Sequence, residues 1–287
     1  MLNSILDFIP EIPVAQWTKS GVDWVTQTFS FLFDPIKEHF GNLMSFVSED
    51  LLMNIPPIIF IIIVALIAFF LTGKKFGLAA FSIVGLWFIY NQGYWDHLMN
   101  TITLVIMASL LSVIIGVPVG ILMAKSRIAA TIITPILDFM QTMPAFVYLI
   151  PAVAFFGIGM VPGVIASLIF ATPPTVRFTN LGIRQVANEL VEAADAFGST
   201  GSQKLFKVEL PMARPTIMAG INQTVMLSLS MVVIASMIGA PGLGREVLSA
   251  LQRSQVGPGF VSGVGIVILA IIIDRMTQNL SKEKKDN

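Results

Sequence analysis

Residues 98–123 read LMNTITLVIMASLLSVIIGVPVGILM, twenty-six positions without an Asp, Glu, Lys, Arg or His. A helix of about 20 such residues crosses the hydrocarbon core of a bilayer. The rest of the chain agrees with that reading. Of its 287 residues 55% are hydrophobic and 12% charged, and the mean hydropathy is +0.83. A soluble domain carries about a quarter charged residues, so this chain could not cover a water-facing surface, and an ordinary soluble enzyme is excluded. Outward from 98–123, six further apolar stretches emerge at 56–71, 78–90, 132–158, 161–171, 217–238 and 259–273. The fold class expected is an all-α polytopic membrane protein with about seven transmembrane helices. Three of the runs are short and need flanking residues to span. Pro144 and Pro151 interrupt the fourth, and Pro173-Pro174 are expected to close the fifth. Prolines inside lipid imply helix contacts or a cavity that satisfy the freed carbonyls.

The polar residues narrow the function. Lys and Arg (17) balance Asp and Glu (17), so nothing points to nucleic acid. With no Cys there is no disulfide or zinc–thiolate site. The two histidines, His39 and His97, stand far apart, HExxH is absent, and Gly73-Lys74-Lys75 lacks the rest of a P-loop. The chain is expected to hydrolyse no ATP itself, to hold no cofactor or metal, and to be no enzyme. Positive charges orient it. With the N-terminus outside and the C-terminus inside, thirteen of the 17 basic residues fall inside, and four (Lys19, Lys37, Arg245, Arg253) outside.

Four regions are expected. Residues 1–52 form an extracytoplasmic amphipathic extension, with Ile36, Phe40, Leu43, Val47 and Leu51 at helical spacing and Trp17, Trp24 and Phe31 marking a second stretch. Two accessory helices occupy 53–96, a five-helix core 97–276, and a basic cytoplasmic tail 277–287. Trp87, Tyr90, Tyr94 and Trp95 read as an interfacial aromatic belt rather than a cage for a quaternary ammonium. Within spans, Asp138 near Gln141 reads as a polar helix contact and Asp274 beside Arg275 as an interfacial pair.

The polar stretch 173–215, placed inside by the charge count, holds Glu192-Ala193-Ala194-Asp195-Ala196-Phe197-Gly198 and then Val208-Glu209-Leu210-Pro211. A helix is expected over 189–197, closed by Gly198 in the left-handed position. Ser199, Thr200 or Ser202 can cap a second helix, about 203–209, ending at Leu210-Pro211. On composition alone this is either a compact knob for a partner or an alanine-rich connector.

The spacing Glu-Ala-Ala, three residues, Gly, nine residues, Val, one residue, Leu-Pro resembles the EAA loop of ABC-importer permease subunits, with Val208 in the usual Ile position. Other segments are similar to the glycine betaine/proline betaine branch of this binding-protein-dependent type I family. They are Asp138–Tyr148, Thr172–Arg177, Ala219–Thr224, Met231–Ala235, Gly239–Gly244 and Asp274–Asn279.

The resemblance implies a permease subunit that takes up a compatible solute (glycine betaine or proline betaine, with carnitine or choline as further solutes) for osmoprotection. Glu192, Ala193, Ala194, Gly198, Leu210 and Pro211 then form the joint with a separate cytoplasmic ABC ATPase, which binds ATP and magnesium. Further implied partners are a separate solute-binding protein, because the chain stops after Lys282–Lys285, and a second permease copy. The glycine-rich segment 239–258 either meets the binding protein, as the resemblance suggests, or is a plain connection, and Phe146, Tyr148 and Phe155 are candidates either for the translocation path or for packing. The competing classes are an ion-gradient-driven secondary transporter and a small channel.

Overall fold

A computed structural model describes residues 13–281, and every element of secondary structure in that range is a helix. Asp7, Glu11 and the tail lysines Lys282, Lys284 and Lys285 lie outside the described residues. Helices α1 (Val14–Thr28) and α2 (Ser30–Ser45) form the extension. A π-helical turn, Phe46–Met53, then meets α3 (Pro57–Leu71) at a bend of 96°. After α4 (Phe76–Asn91) come α5 (Trp95–Lys125), α6 (Arg127–Thr142), a 3-10 turn (Ala145–Tyr148) and α7 (Leu149–Phe156). The chain continues as α8 (Met160–Arg184), α9 (Asn188–Ala196), α10 (Gly201–Ser236), α11 (Leu243–Gln252) and α12 (Val256–Ser281).

Helices α5, α8, α10 and α12 are each long and apolar enough to cross a membrane, and the bent pairs α2–α3 and α6–α7 bring the number among the described residues to as many as six. Helix α4, the remaining span expected, is apolar but only 16 residues long. α12 continues to Ser281, so residues 277–281, expected in the tail, are helical.

Small residues set the close packing of α5, α8 and α10. In lipid, helices gain little from burying apolar surface against each other, and close backbone approach drives association instead. Gly116 and Gly120 lie one turn apart on α5 and face Thr175 and Thr179 of α8. A Cβ at Gly120 would stand 2.5 Å from the Thr179 Cβ and 2.7 Å from the Val176 carbonyl oxygen. Gly220 of α10 lies against Phe178 of α8, and the Thr175 and Thr224 hydroxyls are hydrogen-bonded at 2.7 Å.

The prolines behave in two ways. The expected fourth span is broken: α6 and α7 meet at 110°. Met143, ahead of Pro144, is held extended (φ −70°, ψ 134°), as the proline ring demands. Pro151 causes no break, because it sits in the first turn of α7. The expected fifth span is longer than the sequence implied. α8 runs through Pro173-Pro174 to Arg184, so residues 173–184 belong to a packed helix. Both prolines are buried among the neighbouring helices. Beside them, Thr172 donates to the Leu168 carbonyl and Thr224 to the Ala171 carbonyl.

The extension is anchored to the core. Phe33 stacks on Phe155 of α7 with ring centroids 5.0 Å apart, while Trp17, Trp24 and Phe31 are exposed. Asp274 is not paired with Arg275. It accepts from Asn222 and Gln278, while Arg275 is exposed, because successive residues on a helix do not face each other. Asp138 does make a helix–helix contact, as an ion pair with Arg177 of α8.

Candidate functional site

The segment 188–209 projects from the end of the bundle where α5 and α8 finish. α9 buries none of its residues, and its C-terminus is closed by backbone bonds alone. The Ser199 N–H donates to the Ala194 carbonyl (3.0 Å) and the Gly198 N–H to the Asp195 carbonyl (2.9 Å), the paired bonds of a Schellman cap. Gly198 takes the left-handed conformation that cap requires (φ +74°).

Two residues later Thr200 opens α10 with a capping box: its hydroxyl accepts from the Gln203 N–H (3.3 Å), and the Gln203 side chain accepts from the Thr200 N–H (2.9 Å). Lys204 reaches back to both carboxylate oxygens of Asp195 at 2.8 Å and clasps the two helices across the turn.

The expected second short helix does not end at Leu210-Pro211. After the π turn Leu205–Glu209 the helix continues to Ser236. Pro211 directly follows the π turn inside the continuous helix, just after Leu210, whose N–H donates to the Leu205 carbonyl in the wider π pattern.

Of the residues singled out from sequence, Glu192, Ala193, Gly198 and Pro211 are exposed, while Ala194 and Leu210 are half-buried. Leu210 packs on the cluster of Ile183, Ala213 and Ile217. Phe197 is 90% exposed, and Leu190 and Phe206 are exposed as well, so the knob presents apolar side chains with nothing over them. Such a surface, capped and clasped into shape, is suited to docking and not to bond chemistry. The sequence reading missed the groups that hold it. Lys204 with Asp195, and the buried Glu209 with Lys125 at the end of α5, carry no motif, and the latter pair lies 84 residues apart.

The three aromatic residues offered for a path are not brought together on one surface. Tyr148 is buried, donating to the Met140 carbonyl and packing on Phe170, Phe155 stacks on Phe33, and only Phe146 is exposed.

At the opposite end of α5, residues 239–258 are not a plain loop, because they contain α11. The buried Leu243 N–H donates to the Thr101 hydroxyl (2.9 Å), pinning the start of α11 to α5. A polar cleft of about 760 Å³ lies beside it, lined by Asp96, His97, Arg245 and Glu246 among others. The aromatic group near this end does not form a cage. Trp95 is buried between Phe60 and Tyr90, and Trp87 is exposed. Among the described residues no three His, Asp or Glu converge as a metal site.

Residues 116–286 match the family described as binding-protein-dependent transport system inner membrane component. The chain is 58% identical to the glycine betaine/carnitine transport permease protein of Listeria monocytogenes over 96% of its own length and 98% of that protein's. It is 50% identical to the glycine betaine transport system permease protein of Bacillus subtilis, covering 98% of each. It is 48% identical to the glycine betaine/proline betaine transport system permease protein of Escherichia coli over 96% of this chain and 77% of that one. Among solved structures, an inward-facing MetNI methionine ABC transporter matches with a TM-score of 0.59 at 21% identity, over 63% of this chain and 91% of that one. That likeness concerns the fold.

Proposed function

From the premise that this chain belongs to the binding-protein-dependent transport system inner membrane component family, the permease subunits of ABC importers, we propose that it carries glycine betaine and related betaines across the cell membrane. The observation that carries the solute is the 58% identity to a glycine betaine/carnitine permease along nearly the whole of both chains. The chain is a transport subunit and no enzyme, and ATP hydrolysis belongs to a separate ATPase that binds ATP and magnesium. A secondary transporter driven by an ion gradient finds no support in this family.

In this reading the knob docks on the ATPase. Its exposed apolar residues enter the partner's groove, with Glu192, Ala193 and Ala194 on the docking helix and Gly198 shaping its end. Leu210 and Pro211 join the knob to α10. The N-terminus is outside and the C-terminus inside, which sets α11 and its polar cleft on the side where a separate binding protein delivers solute. Two copies of the chain form the path. Phe146, the exposed member of the aromatic group, is the side chain we assign to it, while Tyr148 and Phe155 pack elsewhere, on Phe170 and Phe33.

The test is uptake of labelled glycine betaine into proteoliposomes holding the chain and its ATPase, with ATP inside and the binding protein outside. Uptake that needs both additions is expected. Uptake driven by an ion gradient without ATP would overturn the assignment.

A further inference from the structure

A docking knob transmits motion only through what ties it to the membrane helices. Among the described residues, a single side-chain bond links 188–209 to another part of the chain, the ion pair of Glu209 with Lys125. Glu209 is the last residue of the π turn and directly precedes Leu210-Pro211, and its side chain is only 6% exposed. Lys125 is the last residue of α5. Two positions earlier, the Met123 carbonyl accepts a 2.9 Å bond from Arg184, the last residue of α8. The final turn of α5 is therefore gripped from two sides, by the end of α8 and by the root of the knob. Both grips come from cations at helix C-termini, where the helix dipoles favour positive charge.

An exposed ion pair in this place would mean little. Here the Lys125 side chain is 39% exposed but the carboxylate is buried, and a carboxylate out of water without a partner is strongly unfavourable, so Glu209 is held to Lys125 as long as it stays buried. Such a pair contributes little net stability compared with apolar packing but fixes which groups stay together. The π turn adds a local departure from α-helical geometry at the same point, a feature often found at functional sites.

We propose that Glu209 and Lys125 are positioning residues of the coupling joint, a strut that makes α5 move with the knob when the ATPase moves it. α5 is 31 residues long, about 46 Å. At its far end it holds α11 through Thr101, so the strut also connects the knob to the opposite face. The proposal rests on the reading of the knob as the ATPase joint.

The test uses the complete transporter in proteoliposomes, with Lys125→Met, Glu209→Gln and the exchange Lys125→Glu with Glu209→Lys. The readout is glycine betaine taken up per ATP hydrolysed, alongside the amount of chain in the membrane. Each single variant should lower that ratio by roughly tenfold, within the usual range of coupling between sites, and the exchange should restore most of it. A parental ratio in the single variants overturns the strut, including the case in which uptake and hydrolysis fall together. So does a lowered ratio that the exchange fails to restore. If the single variants do not accumulate, the exchange decides: accumulation with a parental ratio supports the strut, and any other result overturns it. A parental transporter without ATP-driven uptake would instead sink the functional reading, which separates the two failures.

Discussion

Substitution of Gly198 separates backbone conformation from contact. Gly198 has φ +74°, and a Cβ placed there would meet nothing within 4 Å. Gly198→Ala therefore costs only what the left-handed conformation costs an L-residue, about 1–2 kcal/mol. That is a factor of roughly 5–30 in the population of the capped knob. Gly198→Val should be worse, because a β-branched residue is a true outlier there. Gly198→Asn should be the mildest, since Asn tolerates this conformation. Loss of the cap frees the Ser199–Ala194 and Gly198–Asp195 bonds and loosens the approach to the Thr200 capping box. The assay is uptake per ATP hydrolysed by the reconstituted transporter, with membrane content as control. The expected order is Gly, Asn, Ala, Val, with membrane content unchanged because nothing is buried here. If Asn were as damaging as Val, conformation would not be the reason for the glycine, and steric exclusion by the docked partner would take its place.

Gly120 is the opposite case. Its added Cβ meets a backbone oxygen that cannot turn away, so Gly120→Ala should cost about 1–3 kcal/mol by overpacking and lower the melting temperature in detergent, while Gly263→Ala, with nothing within 4 Å, should not. Thr101→Val leaves the buried Leu243 N–H without its acceptor, at about 1–3 kcal/mol, and should raise hydrogen exchange at the start of α11. With no native Cys, single cysteines at Ser249 and Phe197 should react with an impermeant maleimide from opposite sides of sealed vesicles. Labelling of both from one side would overturn the orientation.

Much of the architecture is legible in the residues because lipid leaves the backbone few choices. The apolar runs locate the long helices, and Gly198 and Thr200 mark the turn of the knob by local chemistry that needs no tertiary partner. The prolines were less readable. Pro144 breaks its helix and Pro173-Pro174 do not, and the unbroken pair lies buried where α8 packs between α5 and α10, Thr175 meeting both Gly116 and Thr224. Leu210-Pro211 misled for a related reason, since the π turn before it lets one helix run on into the membrane segment. The supports of the knob were invisible because ion pairs between distant positions leave no periodicity. Phe155 likewise lacks any local signal that its ring meets Phe33.

The central claim is that the knob is where the ATPase docks. Phe197→Cys supplies the only thiol in the chain, on the most exposed large side chain of that surface. Its rate of labelling by a maleimide is to be measured in the permease alone and in the assembled complex, with the Ser249→Cys variant as reference. The account predicts ready labelling alone, strong protection once the ATPase is bound, and no change at residue 249. Equal labelling of residue 197 with and without the ATPase would contradict it.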